Sequence, residues 1–251
     1  MRNIKLTIAY DGTGYCGWQR QKNSPTIQGE LERRLQLITN SSVTLYGAGR
    51  TDAGVHARAM IANFNTEANT PCPTLLRGLN GLLPRAIRIL NACETSPDFH
   101  ARFSAKSKTY TYSLFTGPIQ LPMHCLYAVH CPHLQHRERI EPCLEKIRGT
   151  HDFASFEATG SRDLKAPSVR GAVRTLHEAT FYQTGPETYQ FQFRADGFLR
   201  HMVRNLVGTL LETGKGRRSV LEFEQILMAR QRSAAGPTAP AHGLVLEKIY
   251  Y

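Results

Sequence analysis

The chain has no stretch of 18 or more apolar residues, so nothing in it reads as a membrane-spanning helix. Its opening, MRNIKLTIAYDG, lacks a continuous apolar region and a small-residue cleavage site, and is not expected to be a signal peptide. Cysteine is scarce: six in 251 residues, at 16, 72, 93, 125, 131 and 143. Scattered thiols in a chain of this length, with no export signal, are expected to be reduced in a cytoplasmic protein. Acidic residues are also outnumbered, 20 against 31 Lys plus Arg, for a net charge of +11. The pI of 9.6 lies above the value of about 9 that marks nucleic-acid partners. No GxxxxGK[ST] phosphate loop, Rossmann fingerprint or Ser/Cys nucleophile motif occurs. What is present is a 41% hydrophobic composition, enough for a folded chain with a real core in one large or two ordinary domains.

Periodicity then orders the elements. Residues 4–10 alternate as a strand, and DGTGYCG breaks it. Ile27, Leu31, Leu35 and Ile38 recur at helical spacing after Ser24-Pro25. VTLYG (43–47) and RAMIANFN (58–65) read as strands, TLLRGLNGLL (74–83) as a helix and AIRILNAC (86–93) as a strand. The second half repeats the order. It has a strand at 108–115, a helix at 136–149 ending in Gly149, and strands at 171–183 and 188–196 joined by TGPE. A strongly apolar helix over 198–214, a further amphipathic stretch at 220–230 and a closing strand at 243–251 complete it. Segments 158–171 and 231–243 read as loops, the latter wrapped over the surface. Setting aside the extra stretch at 220–230, each half is β-α-β-β-α-β, the split βαβ or ferredoxin-like unit, so the expected class is α+β with two like halves and a cleft between them.

Four segments concentrate chemistry. GAGRTDAGVHARA (47–59) joins two strands and sets Asp52 beside Arg50, Thr51 and His56 in a Gly-rich turn. A carboxylate near Arg stays ionised, which suits a nucleophile; an Asp that only bonds its own turn backbone fits the spacing equally. HARFSAKSKTYTY (100–112) interleaves His100, Arg102, Lys106 and Lys108 with Phe103, Tyr110 and Tyr112. That mixture suits phosphates and stacked bases, or else a strand with its tyrosines in the core. In ADGFLRHMVRN (195–205), Arg200 and Arg204 are four apart, expected on one helical face near an anion-favouring helix start. His124, Cys125, His130, Cys131, His133, His136 and Cys143 are zinc-ligand types, but the spacing is wrong for paired-Cys knuckles, so no metal is expected.

Taken together the chain resembles the TruA family of tRNA pseudouridine synthases. The resemblance is carried by YDGTGYCGWQRQ (10–21), GRTDAGVHA (49–57), FHARFSAKSKTYTY (99–112), HDFASF (151–156), FLRHMVRNLVG (198–208) and AGPTAPAHGLVLEKIYY (235–251). It implies isomerisation of uridine to pseudouridine at positions 38, 39 and 40 of the tRNA anticodon arm, without a cofactor, by a homodimer. It implies two ferredoxin-like halves, 1–104 and 105–251, forming one continuous antiparallel sheet with a central cleft and helices on one face. By the same resemblance Asp52 is the catalytic carboxylate and Arg204 its charge partner. Tyr110 contacts the target base, Leu244 lines the pocket and Arg50 assists extrusion of the nucleotide. Two departures stand out: ARAMIANF replaces a more usual GQV-containing strand, and Thr111 stands where a basic residue is common.

A carboxylate suits breakage of the C1′–N1 bond, whether it attacks C1′ or C6 of the base. A stacked stem uridine must be flipped before it reacts. Three rival readings are a synthase acting on another RNA, a non-catalytic RNA-binding protein, and a metal-dependent nuclease or hydrolase, which would need clustered carboxylates that the sequence around Asp52 lacks. The second would be expected to carry an RNA-recognition-motif signature, which is absent.

Overall fold

The computed structural model describes residues 1–161 and 171–251. Most of the loop read over 158–171 lies outside them. In chain order the elements are β1 (Arg2–Tyr10), α1 (Ile27–Thr39), β2 (Tyr46–Gly47), β3 (His56–Thr66), α2 (Cys72–Leu82) and β4 (Ile87–Thr95). They continue with β5 (Ser107–Phe115), β6 (Val129–His130), α3 (Ile140–Ile147), β7 (Gly149–Asp152) and β8 (Val173–Gly185). The last are β9 (Thr188–Ala195), α4 (Met202–Gly214), α5 (Val220–Ala229) and β10 (Leu244–Tyr250). The chain divides into two compact units, Met1–Lys108 with Val245–Tyr251, and Thr109–Leu244. Both are α+β with mostly antiparallel strands.

In the first unit β1 lies between β4 and β3, antiparallel to both. The far edge of β3 is shared. Its C-terminal part pairs with β2 through Asn63 and Ala62, and its first two residues pair in parallel with Val245 and Leu246 of β10. The expected strand at 43–47 shrinks to Tyr46–Gly47 for a definite reason. The Leu45 amide donates to Glu32 Oε1 (3.0 Å) and its carbonyl accepts from Gln28 Nε2 (3.1 Å), so α1 takes the hydrogen bonds that a longer ladder would need. Helix α1 starts as expected: Thr26 caps it by accepting from the Gly29 amide, and Ile27, Leu31 and Leu35 are buried.

In the second unit the strands run β5-β9-β8-β7, with β6 beside β5. The turn between β8 and β9 is where TGPE placed it. Gly149 takes φ +98°, past the end of α3, which bears out its reading as a terminator. Strands β6 and β7 went unread because elements this short show no period. Helix α4 starts at Met202 rather than Phe198, because His201 takes a left-handed conformation, φ +62°. Arg200 therefore precedes the helix and is exposed, and the expected shared helical face of Arg200 and Arg204 does not exist.

The segment 231–243 is a further correction. It does not lie loosely on the surface: Ala235 and Ala239 are buried. Its Gly236 amide donates to Thr209 Oγ1 (3.0 Å), and Thr238 Oγ1 donates to Asn205 Oδ1 (2.6 Å). Gly208 lies so close to the Pro237 carbonyl that any side chain there would overlap it. The strap is packed onto the buried middle of α4.

Candidate active site

Asp52 lies in the first unit, on the loop where β3 has left β2 and met β10. The loop is clamped by the segment that follows β1. Tyr10 Oη is 2.8 Å from Thr51 Oγ1. The Trp18 amide donates to the Thr51 carbonyl (3.1 Å), and the Gly54 amide donates to the Tyr15 carbonyl (3.3 Å). The Val55 amide closes the turn on the Asp52 carbonyl at 3.2 Å. Three glycines permit these approaches. A methyl at Gly12 would overlap the Val55 carbonyl oxygen. One at Gly17, already at φ +88°, would come within 2.6 Å of the Thr51 carbonyl oxygen, and one at Gly47 within 2.6 Å of the Trp18 ring. On the other side Lys108 Nζ donates to the Ala48 carbonyl (2.7 Å), so this lysine supports the loop instead of extending into solvent.

His56 opens β3 in a buried position. Its Nδ1 is 3.0 Å from the Gly12 amide nitrogen and 3.0 Å from Asp11 Oδ1. A bare Nδ1 accepts from the amide, and a protonated one donates to the carboxylate. Asp52 is partly exposed and Arg50 exposed.

Tyr110, Arg204 and Leu244 belong to the second unit. Tyr110 is buried and meets Phe198 edge-on, ring centroids 5.1 Å apart. Arg204 is tied reciprocally to the strap: its Nε donates to the Ala239 carbonyl (2.8 Å), and the Ala239 amide donates to the Arg204 carbonyl (3.0 Å). Tyr112, two residues along β5 from Tyr110, is fully buried and donates to the Pro240 carbonyl (2.8 Å). Burial pushes its phenol well above the ordinary range, against the opposing pull of the Arg204 charge. The strap thus joins Arg204 and Tyr112, and it ends at Leu244, which is buried where β10 begins. Asp52 with Arg50, and Tyr110, Arg204 and Leu244, are positioned by separate units.

Sequence reasoning assigned no role to Tyr10, Gly12, Gly17, Trp18 or Phe198. The repeated glycines in DGTGYCGW, ahead of the single tryptophan, were the available signal for the first four. The His/Cys-rich segment resolves into ordinary contacts: His130 Nε2 lies 2.8 Å from the Gly117 carbonyl, and Cys131 and Cys143 are buried. Among the described residues no three His, Cys, Asp or Glu side chains gather as metal ligands, and all six cysteines are free. No helix among them is long and apolar enough to cross a membrane.

Residues 6–104 and 144–251 match the family described as tRNA pseudouridine synthase. A tRNA pseudouridine synthase A 1 of Desulfotalea psychrophila is 52% identical over 251 residues, covering the whole of both chains. The tRNA pseudouridine synthase A proteins of Lacticaseibacillus casei and Acetivibrio thermocellus are each 42% identical, again over all of both chains.

Proposed function

The chain belongs to the tRNA pseudouridine synthase family, and from that membership we propose that it isomerises uridine to pseudouridine at positions 38, 39 and 40 of the tRNA anticodon arm, with Asp52 as its nucleophile. The observation that carries the reaction is identity of 52% along the full length of a tRNA pseudouridine synthase A 1. The role of Asp52 is supported by its setting, a partly exposed carboxylate on a turn whose backbone is held at Thr51, Gly54 and Val55. A nucleophile held in this way loses little freedom on reaching its target atom.

In this reading the Asp52 carboxylate adds to the flipped uridine at C1′ or C6, the C1′–N1 bond breaks, the detached base turns, C5 bonds to C1′ as the carboxylate leaves, and C5 gives up its proton to solvent while N1 takes one up. Arg204, aimed by its bond to Ala239, is the charge partner of the carboxylate. Tyr110, braced by Phe198, holds the base while it is detached, Leu244 supplies an apolar wall and Arg50 assists extrusion. The net charge of +11 favours the RNA by releasing its counterions. We further propose two ferredoxin-like halves, 1–104 and 105–251, sharing one continuous sheet with a central cleft. The order β4-β1-β3 with β2 on β3, and β5-β9-β8, supports that reading. A cytoplasmic homodimer acting without a cofactor completes it.

Pseudouridine mapping of tRNA before and after incubation tests activity, RNA class and position together. Asp52→Asn is expected to bind tRNA normally and to release no tritium from 5-tritiated uridine. Normal tritium release by that variant would remove Asp52 from the chemistry.

A further inference from the structure

The segment HARFSAKSKTYTY carries three aromatic rings, and the structure separates them. Tyr110 and Tyr112 are buried, whereas Phe103 is 77% exposed. An exposed large ring is common on protein surfaces and by itself means little. This one is held in place. The His100 ring leans against it, tilted 34° at a centroid distance of 4.3 Å, and Tyr46, 44% exposed, lies 5.3 Å from His100 at 46°. His100 Nδ1 accepts from the Arg102 and Phe103 amides, and the Ser104 hydroxyl accepts from the His100 amide at 3.1 Å. The turn is tied down by three polar side chains, of which Asn63 and Asn3 are buried. Asn63 Oδ1 accepts from the Ala101 amide (2.8 Å), Asn3 Nδ2 donates to the Phe99 carbonyl (2.8 Å), and Tyr251 Oη donates to the Ala101 carbonyl (2.8 Å).

We propose that the Tyr46–His100–Phe103 ladder is a stacking platform for an unpaired base of the RNA substrate, separate from the residues assigned to the reaction. The proposal rests on the tRNA reading above. Shape and charge together fit that occupant. A flat ring offers any base a π-face, and the surrounding side chains suit the attached phosphate. The exposed Arg102 guanidinium lies 5.7 Å from the Phe103 centroid, and Lys106 follows three residues on. Asp98 is the one carboxylate in residues 96–106. Bases in a paired stem are stacked on their neighbours, so the platform selects a base from a loop or a bulge. The ladder is already ordered, which reduces the entropy lost on binding.

The test uses the full-length protein and a synthetic anticodon stem-loop with 2-aminopurine placed at one loop position at a time. Stacking on Phe103 is expected to quench the probe at one position. Phe103→Ala and Phe103→Leu are expected to abolish that quenching and weaken RNA binding about tenfold, and Phe103→Tyr to restore both. Thermal unfolding should not change, because the ring is exposed. Wild-type binding and quenching in Phe103→Ala, with isomerisation intact, would overturn the platform and leave the tRNA reading standing. A change of oligomeric state in Phe103→Ala would overturn it in favour of a protein contact. A wild-type protein that neither binds nor isomerises the stem-loop would remove the tRNA reading, and the platform with it.

Discussion

The hydroxyls of Tyr10 and Thr51 meet at 2.8 Å, both in the core, one residue before Asp52. This bond ties the loop to the end of the first strand. Tyr10→Phe keeps the ring against Trp18 and removes only the oxygen, leaving the Thr51 hydroxyl short of a partner. The expected cost is about 1 kcal/mol of stability. Turnover should fall on the order of tenfold, because the backbone before the nucleophile loosens, while affinity for tRNA holds. Single-turnover tritium release beside a binding isotherm separates these effects. Unchanged turnover with the stability loss would reduce the contact to a purely structural one.

Gly17 and Gly14 provide a matched pair. Both have positive φ, +88° and +81°. A methyl at Gly17 presses on the Thr51 carbonyl at 2.6 Å, whereas one at Gly14 meets nothing within 4 Å. Each alanine should cost about 1–2 kcal/mol of backbone strain. Only Gly17→Ala should also move the Asp52 loop, lowering kcat by roughly 100-fold, since a displacement near 1 Å is enough for that. Equal losses of kcat in the two variants would mean that strain, not loop position, controls the rate.

The order of elements was legible because most of them are long enough to show a period, as in α1 and in the hairpin of β8 and β9. Features that depend on distant partners were not. Nothing near residue 45 announces that Gln28 and Glu32 will take its backbone hydrogen bonds and cut β2 short. Nothing at His201 marks a left-handed residue, since that conformation favours glycine. The strap at 231–243 is polar and Pro-rich, which reads as a surface loop, yet Asn205 and Thr209 inside α4 give it buried partners. Asp52 and its neighbours were visible as a motif. The clamp at Tyr10, Gly17 and Trp18 became visible only as contacts.

Arg204→Lys keeps the charge and loses the Nε donor that faces the Ala239 carbonyl. Lysine cannot reproduce both the fork and that bond. Ala239 is buried, so its carbonyl would lose a partner, and about 1–2 kcal/mol of stability should go with it. If Arg204 also positions the Asp52 carboxylate by pairing with it, kcat should fall more than tenfold with little change in tRNA affinity. A variant that is destabilised but catalytically normal would restrict Arg204 to anchoring the strap.

Prolonged chelation should leave activity unchanged. Among the described residues no three candidate ligands gather, and two of them are held elsewhere: His130 lies against the Gly117 carbonyl, and Cys125 Sγ donates to the Pro122 carbonyl at 2.8 Å. Activity lost to a chelator and regained with zinc would reopen the His/Cys-rich segment as a metal site.

Cys143 gives the fold a dependence on alkaline pH. It is fully buried on α3, and burial pushes its thiol from an ordinary 9.0 up to about 11, while a bond with Thr213 opposes the rise. The folded state therefore keeps its proton where the unfolded chain has lost it. Below pH 9 both states are protonated and the contribution to stability is complete. Between about 9 and 11 the unfolded state alone ionises, so stability falls, by an amount on the order of 2–3 kcal/mol for a shift of this size. Cys143→Ala removes the titrating group. It should start less stable at pH 8, because a buried sulfur is lost, and then decline less steeply than the wild type up to pH 11. Denaturant midpoints measured across that range check both features. Parallel profiles for the two proteins would show that other groups set the alkaline limit.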